Sequence, residues 1–252
     1  MSLSTPGPSP SPPSPEPYPQ PYPYPYPPAA PTPVLGSPQG AATAATALLW
    51  VVAGLYLLSA AFNVNEWLEL GRVLADPVGV DHSGMASTDY LRAFTGLAQD
   101  AAMLATAIVF LVWFHRVRGN GQVFRPDGFS QSAGWAIGGW FVPIANLFLP
   151  YRTAREIWDA SAQNAPDGSF RRVPGTPVVA WWLTVVLACA LSQFAAWKEL
   201  LGETTEAARD AHGLGVFADL ATVTAAVLAV GFVRKLTAMQ HRKALQGPNA
   251  AV

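Results

Sequence analysis

The sequence predicts an all-α, polytopic membrane protein, built as a helix bundle of four spans behind a disordered, proline-rich N-terminal tail. Composition is the first reason: 51% of the residues are apolar and only 12% are charged, whereas a soluble domain carries about 25% charged residues. The second reason is a set of apolar runs, each close to the ~20 residues that cross the hydrocarbon of a bilayer. The third is the clustering of Lys and Arg beside those runs.

The tail comprises residues 1–43. Residues 1–40 hold 16 of the 24 prolines. Because proline lacks a backbone N–H and fixes φ, this density disfavours both helix and sheet and predicts a disordered chain biased towards polyproline II. Such a chain is suited to a protein partner with an aromatic-lined groove, and otherwise serves as a solvated spacer.

The transmembrane domain is predicted over residues 44–240, followed by a short C-terminal tail at 241–252. It contains four strong apolar runs. We expect them to be membrane-spanning helices, at residues 44–64, 95–115, 178–197 and 213–233.

A fifth and weaker apolar run covers residues 133–150. It contains Pro143 and Asn146 and ends at Pro150. Proline breaks the helical hydrogen-bond ladder, and lipid offers no replacement partner, so a broken, re-entrant or interface-lying segment is favoured over a plain span. The structural interpretation is a turn that connects the next helix to the bundle. The functional interpretation is a segment that lines a substrate or ion path.

A short interfacial helix is predicted next, at residues 151–161. Arg152 with Glu156 and Arg155 with Asp159 form i,i+4 pairs on one face. The opposite face is apolar, which is typical of a helix that lies in the membrane interface.

Basic residues predict the orientation. If the weak segment does not cross, 11 of the 15 Lys and Arg share one side. The positive-inside tendency then places both termini in the cytoplasm of a multi-pass plasma-membrane protein. If the segment does cross, the best arrangement puts the N-terminus outside, with a 10:5 distribution. Both arrangements leave the C-terminus cytoplasmic.

Two carboxylates lie inside predicted spans. Asp100 and Asp219 are each about six residues from the outer end, and Gln193 and Asn63 approach the same level from the other two spans. An ionisable group within a membrane helix is expensive and indicates function. The pair could share a proton or bind a cation. Alternatively, each carboxylate reaches interfacial water or is capped by a neighbour such as Gln193 or Thr222.

One motif in the weak segment and the helix after it carries a family resemblance. Its residues are Trp140, Phe141, Pro143, Asn146, Pro150, Arg152, Glu156 and Trp158. With Trp113 and Arg116 upstream and Trp181-Trp182 downstream, this pattern resembles an actinobacterial integral membrane family known as domain of unknown function 4328. The resemblance implies a membrane protein from an actinobacterium. It supplies no substrate, cofactor or catalytic residue.

Several function classes are disfavoured. A net charge of −1 gives no basic surplus for nucleic acid. Phosphate-loop, serine-hydrolase and zinc-protease motifs are missing, and the four histidines are scattered. We therefore expect no enzyme activity, no catalytic residue, no metal and no cofactor.

Two functions remain. The preferred hypothesis is a membrane-anchored interaction or scaffold protein whose proline-rich tail recruits a partner. The alternative is a small transporter or an ion- or proton-coupled channel that uses Asp100 and Asp219. Four spans are few for a transporter, so the alternative requires a homo-oligomer.

Overall fold

The structure is a computed structural model, and it describes residues 34–77, 85–169, 171 and 173–246. The predicted tail as far as residue 33 lies outside these residues, as do the last six residues of the chain. Within the described ranges the chain forms helices and loops, without a β-strand. The predicted all-α class is confirmed.

The part of the chain that the structure describes forms four long helices and two short ones, with brief 3₁₀ turns at Pro126–Gly128 and Ala145–Leu147. In chain order the helices are α1 (Gln39–Ala75), α2 (Met85–Phe124), α3 (Trp135–Gly138), α4 (Leu149–Ala160), α5 (Thr176–Leu201) and α6 (Thr205–Gln246). By length and apolar composition, α1, α2 from Tyr90 onwards, α5 and α6 can each cross a membrane. Each of these four helices contains one predicted span.

The long helices extend beyond the predicted spans. At 42 residues, α6 is about 63 Å long, twice the thickness of the hydrocarbon. Helix α1 begins at Gln39 rather than at residue 44, and α6 continues to Gln246, inside the predicted C-terminal tail. An apolar run marks only the part of a helix that lies in lipid. No proline or glycine follows Val233 until Gly247, so the helix continues past the hydrocarbon.

Helix α6 is central, since it packs against both α1 and α5, while α1 also packs against α2. Asn120, near the end of α2, hydrogen-bonds with Gly36, just before α1, and with Gln240, near the end of α6. The start of α1 and the ends of α2 and α6 therefore lie together. We call this the arginine-rich end, because Arg116 and Arg118 lie near the end of α2 and Arg234 and Arg242 near the end of α6. The opposite end, where Glu66 and Glu199 lie, is called the acidic end.

Aromatic side chains fill the core near the arginine-rich end. Trp113, Trp158 and Phe232 are fully buried or nearly so. Phe232 stacks on Trp181 with ring centroids 4.6 Å apart, and its edge contacts Trp113 at 5.6 Å. Each such pair adds about 0.5–1.5 kcal/mol beyond the area that it buries, so this end is held by a dense aromatic cluster.

A buried polar network supports the same end. The Gln240 side chain donates to the carbonyl of Val117 at 2.8 Å and to the Ser161 hydroxyl at 3.1 Å, and accepts from Asn120 at 3.1 Å. The Lys243 ammonium donates to the carbonyl of Ala162 at 2.6 Å. Buried polar groups destabilise unless they are paired, and these pairs join the loop after α4 to the ends of α2 and α6.

Residues 133–150 do not form a continuous helix. After α3, the N–H of Ala145 donates to the carbonyl of Pro143 at 2.7 Å, which closes a tight turn centred on Ile144, whose φ is 66°. A β-branched residue is strained at positive φ. Helix α4, in the stretch where the interfacial helix is predicted, packs against α2 and α5. The segment thus begins and ends near the arginine-rich end.

Candidate functional site: an inter-helix cavity at the acidic end

A cavity of about 360 Å³ lies between the four long helices on the acidic side. Each helix contributes side chains three, four or seven positions apart, which share one face of a helix. Its main polar lining residues are Tyr56, Ser59 and Asn63 of α1, Arg92, Thr95, Gln99 and Asp100 of α2, Ser192 and Glu199 of α5, and His212 and Asp219 of α6. The cavity is therefore polar, although it lies within an apolar bundle.

Asp219 is the most buried carboxylate of this lining, with only 7% of its surface exposed. The side-chain amide of Asn63 donates to Asp219 Oδ2 at 2.9 Å. Gly215 makes this approach possible, because a Cβ at that position would stand 3.0 Å from Asn63 Nδ2. This charge-assisted hydrogen bond helps to hold Asp219 in place.

The polar contacts continue from Asn63 towards the rim. With its amide nitrogen turned to Asp219, Asn63 presents Oδ1 to His212 Nδ1 at 3.0 Å. His212 Nδ1 must then carry the proton and donate. Arg92 Nη2 lies 3.4 Å from that same nitrogen and 4.0 Å from Glu199 Oε1. A protonated nitrogen cannot accept from a guanidinium, so the electrostatic partner of Arg92 is Glu199.

Three of the four predicted polar residues come together in this cavity: Asp219, Asn63 and Asp100. Asp100 is exposed, whereas Asp219 is buried. Gln193 is exposed and does not line the cavity, because the neighbouring Ser192 occupies the inward-facing position of α5. The predicted alternative of a cap on Asp219 from Thr222 is not present either, since Thr222 donates to the carbonyl of Ala218.

Sequence reasoning missed Arg92, Glu199 and His212. All three lie just outside the predicted spans, and a count of charges within the spans found no basic residue beside the carboxylates. A usable signal was present, because Arg92 lies seven residues before Gln99, two helical turns away on the same face. This signal can be used only if α2 is taken to begin before its apolar run, so that Arg92 belongs to the same helix as Gln99.

The motif that carries the family resemblance lies elsewhere, mostly in the packing of the arginine-rich end. Trp140 contacts Phe110, Phe114 and Trp182 edge-on, and Trp158 is fully buried. Among the described residues, neither of these two indole N–H groups has a hydrogen-bond acceptor.

Among the polar members of the motif, Arg152 and Asn146 are exposed, whereas Glu156 is half-buried. Arg152 pairs with Glu156 at 3.3 Å, while Phe141, Pro143 and Asn146 are exposed. The motif thus shapes the turn and the packed end, and contributes no side chain to the cavity.

Four membrane-length helices around a polar cavity define a multi-pass helical membrane protein. The chain belongs to the family described as "Domain of unknown function (DUF4328)", whose model matches residues 76–238. The resemblance noted in the sequence is thereby confirmed. No curated protein and no solved structure gives a significant match. The matched residues include the cavity-lining residues of α2, α5 and α6, while Asn63 on α1 precedes them.

Proposed function

We propose that this protein is a small transporter or an ion- or proton-coupled channel that binds its solute in the cavity at the acidic end. The observation that carries the proposal is the convergence of Asp219, Asn63 and Asp100 from three helices on one cavity. A carboxylate inside a membrane bundle costs at least ~2.5–3.5 kcal/mol at the centre of a span. A function that uses the charge explains why the cost is tolerated.

The cavity favours a cation. Its charged lining comprises three carboxylates, from Asp100, Glu199 and Asp219, against one guanidinium, from Arg92. Carboxylate, amide and hydroxyl oxygens are suited to small hard cations and to protons. Asp219 and His212 are the titratable groups on the two sides of Asn63, and either can take up or release a proton, while the Asn63 amide holds both in place and carries none.

Flux measurements test this proposal. Full-length protein would be reconstituted into vesicles with an internal pH dye, and H⁺ and Na⁺ fluxes would be driven by imposed gradients. We expect wild-type flux to fall at least about tenfold in Asp219→Asn, since each lost charge interaction of ~1.4 kcal/mol corresponds to a factor of ten. The matched control is Asp210→Asn, on the same helix but outside the cavity and paired with Lys198. Equal flux in wild type and Asp219→Asn would reject the proposal.

Topology is part of the proposal. Helix α2 ends and α5 begins near the arginine-rich end, so we infer that residues 133–150 do not cross and that the protein has four spans. Phe141, Ile144 and Phe148 are 65–76% exposed, which suits a segment that dips into the interface from that side. The positive-inside rule then makes the arginine-rich end cytoplasmic, and the plasma membrane stays the membrane of the proposal.

Cysteine labelling tests this topology. In a Cys189→Ser background, an impermeant maleimide should label Glu203→Cys, in the loop before α6, on intact cells. Ser169→Cys, in the loop before α5, should be labelled only after lysis. Both positions are exposed. The reverse pattern would invert the orientation. A five-span arrangement leaves both of these loops on the same sides, so the exposed Asp127, between α2 and residues 133–150, decides the number of spans. Asp127→Cys should be labelled only after lysis, and its labelling on intact cells would contradict four spans.

The scaffold hypothesis concerns a tail that mostly lies outside the described residues, and it stays a prediction. Deletion of residues 1–33 should abolish capture of a protein partner if the tail recruits one. An unchanged set of captured proteins would reject the hypothesis, while the flux experiment would be unaffected.

A further inference from the structure

A second and larger cavity of about 680 Å³ lies at the opposite end of the bundle, as a groove between α1 and α6. Its lining includes Ala42, Thr46, Ala47 and Trp50 of α1 and Arg234 and His241 of α6. On each helix these positions follow the spacing of a single face. Small side chains on both faces leave the space open. Trp50, half of whose surface is exposed, forms one wall.

The ionisable residues that line this groove are all basic. Arg234 and His241 line it, and no carboxylate does. Arg234 makes no hydrogen bond or ion pair with any other residue that the structure describes, whereas Arg155 and Arg152 at the same end each bind a carboxylate. A guanidinium beside an apolar groove favours an anion that also has apolar parts.

The depth of the groove restricts the occupant further. Arg234 directly follows the apolar run 213–233, so it lies at the level of the lipid headgroups. Trp50 is four residues beyond Thr46 along α1, about 6 Å deeper into the membrane. Tryptophan and arginine at these two levels match the boundary between acyl chains and headgroups. The groove therefore spans the inner boundary of the bilayer.

We propose that this groove binds one anionic phospholipid from the leaflet at the arginine-rich end. The lipid phosphate contacts Arg234, and the glycerol and upper acyl chain lie against Ala47 and Trp50. A free anion would leave the apolar walls uncovered. An apolar helix of a second copy would bury the Arg234 guanidinium without a counter-charge, which is strongly unfavourable. Basic sites between membrane helices on the cytoplasmic side commonly bind anionic headgroups.

Native mass spectrometry of the full chain in detergent tests the proposal. The protein would be titrated with phosphatidylglycerol and with phosphatidylcholine of the same acyl chains. We expect one tightly bound phosphatidylglycerol on the wild type. Arg234→Gln should bind it about fivefold more weakly, the effect of one basic residue near an anionic headgroup, and should bind phosphatidylcholine as before.

Two further variants separate a specific site from general charge. Arg242→Gln removes the same charge from the same end of α6, but Arg242 lines a different cavity, so its phosphatidylglycerol affinity should stay within about twofold of wild type. Ala47→Leu, at an exposed position in the groove, should weaken both lipids by filling the space. Equal losses in Arg234→Gln and Arg242→Gln would overturn the proposal.

A crosslinking experiment identifies the competing occupant. In a Cys189→Ser background, Ala47→Cys should stay monomeric on oxidation in membranes if lipid fills the groove. Efficient disulfide-linked dimers would show that a second copy covers it and would overturn the lipid proposal. Neither result depends on the flux experiment, because the groove and the acidic-end cavity share no lining residue.

Discussion

The two ends of the bundle accommodate their polar side chains in different ways. At the arginine-rich end, Asn120 and Gln240 are buried and hydrogen-bonded between helices, beside a close-packed aromatic cluster. At the acidic end, Asp219 and Asn63 face a cavity instead. The core of the first end is filled with side chains, and its groove lies beside that core, between α1 and α6. At the second end the space between the four long helices is itself open, at the level of a charged group.

This difference separates a close-packed core from an open, polar inter-helix cavity, and the proposed function rests on that contrast. Full packing and paired polar groups maximise stability, so they are expected where only rigidity is required. An open cavity with a carboxylate forgoes packing contacts, which is expected where a ligand must enter. A protein that needed only a membrane anchor would gain stability by filling the acidic-end cavity with side chains.

The largest effect should come from the aromatic cluster. Trp158→Ala removes a fully buried indole and should lower the free energy of unfolding by about 3–5 kcal/mol. The control Trp197→Ala, at an indole that is 58% exposed on the acidic side, should change it by less than about 1 kcal/mol. Unfolding in mixed micelles measures both. Equal losses would show that the two ends are equally packed.

The second-largest loss of stability should come from the buried polar network around Gln240. Gln240→Ala leaves Asn120 and the Val117 carbonyl without their partner in a dry site, and should destabilise by about 2–3 kcal/mol. Asn63→Ala, at the cavity, should destabilise by less than about 1 kcal/mol, because water can solvate Asp219 and His212 there. The same unfolding assay compares them. A larger loss in Asn63→Ala than in Gln240→Ala would contradict the contrast between the close-packed core and the open cavity.

The smallest effect should come from the turn before α4. An added Cβ at Gly139 would lie 2.9 Å from the carbonyl oxygen of Trp135 and 3.0 Å from Leu149 Cβ. Gly139→Ala should therefore destabilise by about 1–2 kcal/mol through overpacking. Gly134→Ala is the matched control, since nothing lies within 4 Å of its Cβ position. Identical thermal unfolding of the two variants would show that the turn can deform to accommodate the added methyl group.

Some of this organisation was readable from local sequence. The helical class and the four membrane-length helices follow from apolar runs of sufficient length. In lipid, backbone N–H and C=O groups have no water to bind, and a helix pairs them all within one segment. Pro143 and Pro150 indicated the interruption before α4 for a similarly local reason, since proline removes a donor wherever it stands. Family membership followed from a motif of neighbouring residues.

The rotation of each helix about its axis was not readable, and this is why Gln193 was predicted at the site and Ser192 was not. Arg92 was missed for a different reason, because it precedes the apolar run of α2. In a membrane bundle both the lipid side and the protein side of a helix are apolar, so the sequence contains little signal for helix rotation. Packing settles the rotation instead. Asn63 and Asp219 meet although 156 residues separate them.

The sequence by itself therefore determined the class, the number of membrane-length helices and the asymmetry of charge, all of which are sums over neighbouring residues. Only the tertiary structure decided that three predicted polar residues share one cavity with Arg92, Glu199 and His212, and that a basic groove opens between α1 and α6. Cavities and grooves exist between helices, and their lining depends on contacts between residues that are distant along the chain.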